Sequence, residues 1–134
     1  MILTPTYHVF EMYTVHQDAV LLPLTFEGAQ PRYEYEGQSI PAVSGSASRD
    51  KEGRIHVTLT NLDPKRAWTV TGEISGAHVS RASGRVLTAA AMNAHNTFDQ
   101  PAAVQPAPFT GARVSGEKVT VDLPPKAIVI VDLQ

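Results

Sequence analysis

The sequence predicts an all-β fold, an antiparallel β-sandwich, for residues 19–134, preceded by a short helical segment over residues 1–18. From Ala19 onward, runs rich in valine, isoleucine and threonine are separated by glycine, proline, asparagine and aspartate. About seven or more such runs follow one another with turns every ~8–12 residues, a spacing typical of sandwiches. The 134 residues are 43% hydrophobic, so we expect one domain with a self-sufficient core.

The first eighteen residues differ from the rest in their hydrophobic spacing. Pro5 suits the first turn of a helix, and Thr4 suits its cap. Aromatic side chains then recur at every third position, at Tyr7, Phe10 and Tyr13. Because such a helix is too apolar to stand alone in water, it needs a surface to pack on. We expect that surface to lie outside this chain, so that the segment docks on a foreign apolar surface, self-associates or frays.

The clearest strand is Arg54–Asn61, in which Ile55, Val57 and Leu59 alternate with polar residues. This period of two predicts one buried face and one solvated face. The polar run Arg49–Gly53 predicts the turn before it. Weaker strand signals lie at Ala19–Thr25, Ile40–Ser48 and Arg85–Ala90.

Two hairpins are predicted from turn residues between alternating runs. The proline-containing loop Leu62–Arg66 joins the clearest strand to Trp68–Ile74, where the alternation resumes. The turn Ser115–Glu117 joins Ala112–Val114 to Lys118–Leu123.

The last run, Ala127–Leu133, is apolar on both faces, which predicts a central strand with cover on each side. Pro124 and Pro125 end the pairing of the preceding strand. The stretch Asn93–Phe109 contains three prolines and shows no periodicity, so it predicts a long surface loop. Seven side chains are expected to face the interior of the sandwich: Ile55, Val57, Leu59, Val70, Val119, Val121 and Ile130.

Composition excludes several classes of function. The 11 basic and 13 acidic residues are scattered and give a net charge of -2, so neither nucleic acid nor a membrane is an expected partner. Without cysteine, disulfides and thiolate-bound metals are excluded. The N-terminus lacks the basic and apolar regions of a signal peptide, and no apolar run has the length of a membrane span. Localisation is left unassigned.

Five histidines are the obvious candidates for metal ligands: His8, His16, His56, His78 and His95. No two of them stand two or four positions apart, the spacings that bring two imidazoles onto one ion. On a continuous helix, His8 and His16 would lie about 12 Å apart, too far to share a metal. We assign no metal ligand and expect these histidines to be solvent-facing or hydrogen-bonded in structural roles.

Glu34 and Glu36 are the candidate carboxylate pair for glycosidic chemistry. On one strand they would share a face at about 6.6 Å, within the range of two-carboxylate hydrolysis. Because neither acid has apolar surroundings that would raise its pKa, we interpret both as solvent-facing, with Tyr33 and Tyr35 pointing inward. A sugar-stacking role for these tyrosines and Trp68 is the alternative, and buried packing is the favoured interpretation.

Nucleophilic and nucleotide chemistry have no motif in this sequence. No Gly-x-Ser-x-Gly elbow occurs, and Gly45–Arg49, which comes nearest, has Ala47 at the serine position and Arg49 at its last position. A GxGxxG fingerprint and a P-loop are absent as well. Asn93 and Asn96 lack the Ser or Thr that a glycosylation acceptor requires two positions later. We therefore assign no catalytic residue, no cofactor-binding residue and no cofactor.

Three segments carry a family resemblance: Leu3–Tyr13 continued by Val15–Ala19, then Met92–Asp99, then Leu123–Val131. In their residues, order and spacing they resemble the C-terminal region of the α-L-arabinofuranosidases of glycoside hydrolase family 51. The likeness covers nearly the whole chain, and the combination is more specific than any one segment.

The resemblance implies a parent enzyme with a (β/α)8 barrel and a C-terminal jelly-roll β-sandwich. Residues 1–18 would be a remnant of the last barrel strand and helix, and residues 19–134 would be the sandwich. The family is retaining, with two catalytic glutamates on barrel strands upstream of this chain, and no residue here matches either motif. Thr4–His8 would lie near the end of the last barrel strand, without an assigned role.

We therefore expect a non-catalytic C-terminal domain that gives structural support and helps assembly. Its partner would be the catalytic barrel of a parent that hydrolyses terminal α-L-arabinofuranosyl groups in arabinoxylan or arabinan, and the polysaccharide would be met through the parent only. Assembly as a homo-oligomer is left open. The alternatives are a freestanding carbohydrate-binding module, which needs exposed aromatics on one sheet or rim, and a small autonomous hydrolase, which needs carboxylates converging in a cleft.

Overall fold

The computed structural model describes residues 1–134 and consists of two facing antiparallel sheets with one helical segment. The helical segment contains α1, Pro5–Tyr13, and a short 3-10 helix, Thr14–His16. The strands are β1 (Val20–Leu22), β2 (Arg32–Tyr35), β3 (Gln38–Pro41), β4 (Val43–Arg49), β5 (Ile55–Asn61), β6 (Trp68–Glu73), β7 (Ala82–Leu87), β8 (Ala107–Phe109), β9 (Ala112–Ser115), β10 (Lys118–Leu123) and β11 (Ala127–Leu133). The predicted antiparallel β-sandwich is confirmed.

The larger sheet has six strands in the order β1-β4-β5-β11-β7-β8, and the smaller has three in the order β6-β10-β9. β2 and β3 form a separate two-stranded hairpin. β11 pairs with β5 on one side and with β7 on the other, so its predicted central position is confirmed. The single α-helix is too short to cross a membrane.

The main core lies between the two sheets. Alternate residues of β11, Val129, Val131 and Leu133, join it from the larger sheet. Six of the seven side chains that were predicted to face inward are part of this core or pack against it: Ile55, Val57, Leu59, Val70, Val119 and Val121. Each fully buried aliphatic side chain contributes about 1.5–3 kcal/mol relative to exposure.

The prediction for Ile130 is wrong. This side chain is 2% exposed, but it points to the other face of β11 and joins a second cluster with Met12, Leu87 and Val104 beneath α1. A strand that is covered on both faces reads as a continuous apolar run, so its sequence does not distinguish the two sides.

The solvated face predicted for β5 is also wrong, because His56 is 5% exposed and Thr58 is 0% exposed. The helical segment covers this face, and the Nε2 atom of His16 lies 2.8 Å from Oγ1 of Thr58. The alternation in β5 correctly predicts that this face is polar. It does not predict that the face is buried, because the burial depends on His16, a polar residue from a distant part of the chain.

The predicted hairpin of β5 with Trp68–Ile74 is wrong, because β6 pairs with β10 in the opposite sheet. Both sides of β5 are already occupied by β4 and β11. The connection after β5 crosses between the sheets instead. The Asn61 side chain fixes it by donating hydrogen bonds of 2.8 Å to the carbonyl oxygens of Arg66 and Pro124.

The other turn predictions are confirmed. β9 and β10 form the second hairpin, and Arg49–Gly53 spans the turn between β4 and β5. β10 ends at Leu123, immediately before Pro124 and Pro125.

Three weaker strand predictions and the long loop need new bounds. Ala19–Thr25 contains only the short β1, Ile40–Ser48 is divided between β3 and β4 at Ala42, and Arg85–Ala90 contains only the end of β7. The surface loop predicted for Asn93–Phe109 is wrong for its last three residues, which form β8. It also contains two buried side chains, Asn96 and Val104.

Candidate interaction surface

Residues 1–18 form a segment with one side on the larger sheet and the other side in solvent. α1 begins at Pro5, where a proline costs no helical hydrogen bond. The hydroxyl of Thr4 accepts a 3.1 Å hydrogen bond from the backbone N–H of Tyr7, so the predicted cap is confirmed. At the other end, the backbone N–H of Thr14 donates to the carbonyl oxygen of Glu11.

The inner side of α1 packs against the sandwich of the same chain. Met12 is completely buried against Leu87, Val104 and Ile130, and Val9 packs at the edge of this cluster. The expectation that this chain offers no packing surface for the segment is therefore wrong. The outer face of β11 and β7 supplies the surface, because β11 is apolar on both of its faces.

Two polar contacts fasten the segment at separate points. The guanidinium of Arg85 on β7 donates two hydrogen bonds, at 3.0 and 3.1 Å, to the carboxylate of Glu11. The Nδ2 atom of Asn96 donates a 2.7 Å hydrogen bond to the carbonyl oxygen of Leu3. The start and the middle of the segment are thus held by the sandwich and by its long loop.

A third contact holds the end of the segment through His16. Its Nδ1 atom lies 2.6 Å from Oγ of Ser48, and its Nε2 atom lies 2.8 Å from Oγ1 of Thr58. Burial lowers the pKa of the His16 imidazole, the neighbouring His56 lowers it further, and Asp132 opposes both effects. His16 is therefore neutral at physiological pH, with both ring nitrogens engaged.

His56 lies beside this contact, between two carboxylates. Its Nδ1 atom is 2.6 Å from Oδ1 of Asp132, and its Nε2 atom is 2.9 Å from Oδ2 of Asp50. Burial tends to raise the pKa of the Asp50 carboxyl, but hydrogen bonds from His56 and Arg54 outweigh burial and lower this pKa to about 2. The arrangement is a structural network, and no cluster of three or more potential ligands in the structure is placed to hold a metal ion.

The outer side of α1 presents aromatic side chains to solvent. Tyr7 is 49% exposed and Phe10 is 74% exposed, and both line one open depression together with Tyr13. We call these three residues the aromatic face. Several large apolar side chains exposed side by side mark a site of interaction with another surface.

The candidate carboxylate pair is not formed as predicted. Glu34 lies on β2, but Glu36 lies in the β2–β3 turn with a φ of 48°, so the two side chains do not share a strand face. Tyr35 is 62% exposed, which makes its predicted inward orientation wrong, while Tyr33 is partly buried. The reason is that the β2–β3 hairpin stands apart from both sheets. Trp68 packs against the main core instead.

Ser48 and His16 have the spacing of a nucleophile and its base, but Ser48 is only 3% exposed. No substrate can reach this hydroxyl, so the contact is structural. The segment Gly45–Arg49, which contains Ser48, forms most of β4. A Cβ atom at Gly45 would stand 2.6 Å from the carbonyl oxygen of Thr58, which explains the glycine by close strand packing.

Asn96 is the residue whose role sequence reasoning missed. Besides its bond to Leu3, its amide donates to the carbonyl oxygen of Val104 at 2.8 Å and accepts from the N–H of Val104 at 2.6 Å. The only signal for it was its place in the segment Met92–Asp99, which carries the resemblance. The partners of Arg85 and His16 lie 74 and 32 or more positions away, so no local pattern could identify them.

Comparison with known proteins agrees with this architecture. A sequence model of the α-L-arabinofuranosidase C-terminal domain matches residues 1–127. An intracellular exo-α-L-arabinofuranosidase of Bacteroides ovatus is 41% identical over 136 residues, which are 100% of this chain and 26% of that protein. The crystal structure of the GH51 arabinofuranosidase from Xanthomonas axonopodis pv. citri has a TM-score of 0.95 at 45% identity, covering 100% of this chain and 27% of that one.

A more distant relative shares the fold. The α-L-arabinofuranosidase of Thermotoga maritima, solved as an arabinose complex, has a TM-score of 0.80 at 21% identity and covers 98% of this chain and 29% of its own. The chain thus spans about a quarter of the length of the proteins that it matches.

Proposed function

The chain belongs to the family of α-L-arabinofuranosidase C-terminal domains, and from this premise we propose that it is the non-catalytic β-sandwich of a larger enzyme and supports that enzyme's catalytic barrel. In the Bacteroides ovatus and Xanthomonas relatives, the matched region makes up only 26% and 27% of the polypeptide. The parent would hydrolyse terminal α-L-arabinofuranosyl groups, the activity that the relatives' names state.

The observation that carries this proposal is the two-sided helix α1. Its inner side is fixed to the sandwich by Met12 and Glu11, while Tyr7 and Phe10 on its outer side remain 49% and 74% exposed. Residues 1–18 act as the last strand and helix of the barrel, and residues 19–134 act as the sandwich on which that helix rests. One helix then belongs to both domains, so the sandwich fixes the position of one part of the barrel wall.

The carboxylates of the chain support a role without catalysis. Glu34 is exposed on a hairpin without an apolar setting, and Asp50 and Asp132 are both occupied by His56. A carboxyl with a pKa of about 2, such as Asp50, is too acidic to donate a proton to a glycosidic oxygen near neutral pH. We accordingly expect the 134-residue chain alone to turn over no chromogenic arabinofuranoside.

The test compares Phe10→Ser with Tyr35→Ser in the complete enzyme polypeptide and in the 134-residue chain. Phe10→Ser should lower the unfolding free energy of the complete enzyme by about 1–3 kcal/mol, because it removes burial of the aromatic face against the barrel. In the 134-residue chain it should have little effect, since Phe10 is exposed there. Tyr35→Ser is the matched control on an aromatic residue outside α1. Equal effects of the two variants in the complete enzyme would reject the support role.

A further inference from the structure

A cavity of about 770 Å³ lies between the β2–β3 hairpin and the loop that follows β5. Two segments line it: the whole of β2, Arg32–Tyr35, and the loop residues Asp63–Arg66. Its volume falls in the range of about 300–1,000 Å³ that is typical of small-molecule sites. The cavity shares no residue with the aromatic face of α1, so the proposed function does not account for it.

Hydrogen bonds fix the backbone of the loop Asp63–Arg66. Oδ1 of Asp63 accepts hydrogen bonds from the N–H groups of Lys65 and Arg66, both at 2.9 Å. The carbonyl oxygen of Arg66 accepts from Nδ2 of Asn61 at 2.8 Å. This part of the cavity is therefore formed before a ligand arrives, which lowers the entropic cost of binding.

The hairpin is tied to the same region of the chain. The N–H of Ala42 donates to the carbonyl oxygen of Pro31, and the N–H of Leu62 donates to the carbonyl oxygen of Ala42, both at 2.7 Å. Arg32 is held across the hairpin by two hydrogen bonds to Ser39, from Nε at 2.7 Å and from Nη2 at 2.8 Å. Because a guanidinium has five N–H groups, Arg32 keeps donors for a ligand.

The carboxylate of Asp63 points to an occupant of the cavity. Asp63 is 5% exposed, and its Oδ2 atom accepts no hydrogen bond from the chain. Nε1 of Trp68 is the only fully buried side-chain polar atom without a partner, so Oδ2 of Asp63 is open to its surroundings rather than sealed in the core. Since carboxylate oxygens of buried residues nearly always have a partner, a donor from outside the chain is expected at this atom.

Five of the eight residues that line the cavity are charged: Arg32, Lys65 and Arg66 are basic, and Glu34 and Asp63 are acidic. None of these five side chains forms an ion pair. Three positive and two negative charges leave a net charge of +1, which is too small to select a polyanion. Free donors beside free acceptors match a ligand whose groups do both, as sugar hydroxyls do.

Tyr35 adds an aromatic ring to these polar groups. Its side chain is 62% exposed at the end of β2. A tyrosine ring packs on the apolar face of a sugar ring, and its O–H group is free to bond a hydroxyl. A folded protein is a poor fit to the cavity, because the cores of protein interfaces are depleted of charged residues.

We propose that this cavity binds a neutral saccharide chain, with Tyr35 stacking on a sugar ring and with Asp63 and Arg66 hydrogen-bonding its hydroxyl groups. The inference goes beyond support of the barrel, because it gives the sandwich a ligand of its own. The choice of an arabinose-bearing chain as that ligand rests on the proposed function, which names the parent's substrate. The site replaces the expectation that the polysaccharide is met through the parent only, and it retains Tyr35 from the sugar-stacking alternative.

Affinity electrophoresis of the 134-residue chain, in native gels that contain soluble arabinoxylan or linear arabinan, tests the proposal. At least one of the two polysaccharides should retard the wild-type chain, and the gel that does so identifies the chain that is bound. Tyr35→Ala should lower the association constant about tenfold, because it removes the stacking ring. Phe98→Ala, the matched control on another exposed aromatic residue, should bind like the wild type.

Asp63→Asn tests the polar part of the site. It keeps an oxygen for the N–H groups of Lys65 and Arg66 but replaces the free Oδ2 by a donor, so binding should fall by about tenfold or more. Denaturant unfolding reports whether this variant is folded. Should it unfold, Tyr35→Ala decides the proposal alone, because the exposed ring of Tyr35 is not needed for the fold.

Unretarded migration of the wild type in both gels would overturn the proposal, as would equal retardation of the wild type and Tyr35→Ala. Retardation by polygalacturonate alone would also overturn it, because the cavity would then select anions. Each of these outcomes leaves the support role standing, since that role is read from Phe10→Ser in the complete enzyme. Equal effects of Phe10→Ser and Tyr35→Ser there, with saccharide binding intact in the 134-residue chain, would keep the binding site and reject the support role.

Discussion

Glu11 on α1 and Arg85 on β7 lie 74 positions apart in the sequence and form a bidentate ion pair with N–O distances of 3.0 and 3.1 Å. Both side chains are about 40% exposed, at 39% and 42%, so solvent screens much of their attraction. The planar guanidinium fixes the direction of its partner as well as its distance. The pair therefore orients α1 on the sheet more than it stabilises the fold.

Arg85→Lys keeps the positive charge but removes the bidentate hydrogen bonding to Glu11. We expect the free energy of unfolding to fall by no more than about 0.5–1 kcal/mol, while the amides of α1 exchange faster because the helix is held less firmly. The measurements are denaturant unfolding and hydrogen exchange. Lys118→Gln, which breaks the more exposed pair with Glu73 at 3.6 Å, is the control and should leave α1 unchanged. An α1 exchange rate unaffected by Arg85→Lys would show that packing alone orients the helix.

Met12→Ala should destabilise the 134-residue chain by about 2–5 kcal/mol, because it empties a completely buried site. Phe10→Ala on the opposite side of the same helix should change the stability of this chain by less than about 0.5 kcal/mol. Thermal or denaturant unfolding of the two variants measures the difference. If the two substitutions had similar effects, α1 would not be packed on the sandwich in solution.

The strands were predictable from the sequence because their signals are local. Alternation at Ile55, Val57 and Leu59, the turn at Ser115–Glu117 and the doubly apolar run Ala127–Leu133 each depend on neighbours within a few residues. The cap at Thr4 was predictable for the same reason, because its hydrogen-bond partner, Tyr7, is only three residues away. The family resemblance carried the functional prediction, since no chemical motif in the chain could do so.

The partners of these elements were not predictable in the same way. Whether β6 pairs with β5 or β10, and which face of β11 holds Ile130, depends on contacts between distant parts of the chain. The burial of His56 and Thr58 depends on His16, which belongs to the segment for which the sequence predicted a packing surface outside this chain. A buried polar residue whose partner is also polar gives the same sequence pattern as a solvent-exposed polar residue.

Asn96→Asp should destabilise the chain by about 1–3 kcal/mol or more. The amide nitrogen that donates to the carbonyl oxygens of Leu3 and Val104 becomes an acceptor, so two buried or partly buried oxygens lose their donor. Asn93→Asp, on an exposed residue of the same loop, is the control with the same change of charge. The measurements are unfolding by denaturant and the exchange rates of the first turn of α1. Equal stability of the two variants would contradict the role assigned to Asn96.

Asp50 predicts a loss of stability at low pH. Its pKa is about 2 in the folded chain, whereas the ordinary value for an aspartate is 3.8, so the unfolded state binds more protons between these values. The stability that Asp50 contributes is present above about pH 3.8 and is lost as the pH falls toward about 2. The difference in unfolding free energy between the wild type and Asp50→Asn should therefore shrink over this window. Asp99→Asn on the exposed loop is the control, and a difference that does not depend on pH would contradict the network around His56.

The lowered pKa of His16 predicts a second pH-dependent loss of stability. It occurs at higher pH than that of Asp50 and affects the helical segment. Its pKa is lowered below the ordinary value of 6.5 by burial and by His56, so the folded chain binds fewer protons than the unfolded chain just below that pH. Stability contributed by neutral His16 is present above about pH 6.5 and is lost as the pH falls through the lowered pKa. Exchange of the α1 amides, corrected for intrinsic rates, should accelerate on acidification in the wild type and not in His16→Gln, which remains neutral. His95→Gln, on an exposed histidine, should behave like the wild type. If His16→Gln kept the full pH dependence, the contact with Ser48 and Thr58 would not be what holds the end of the segment.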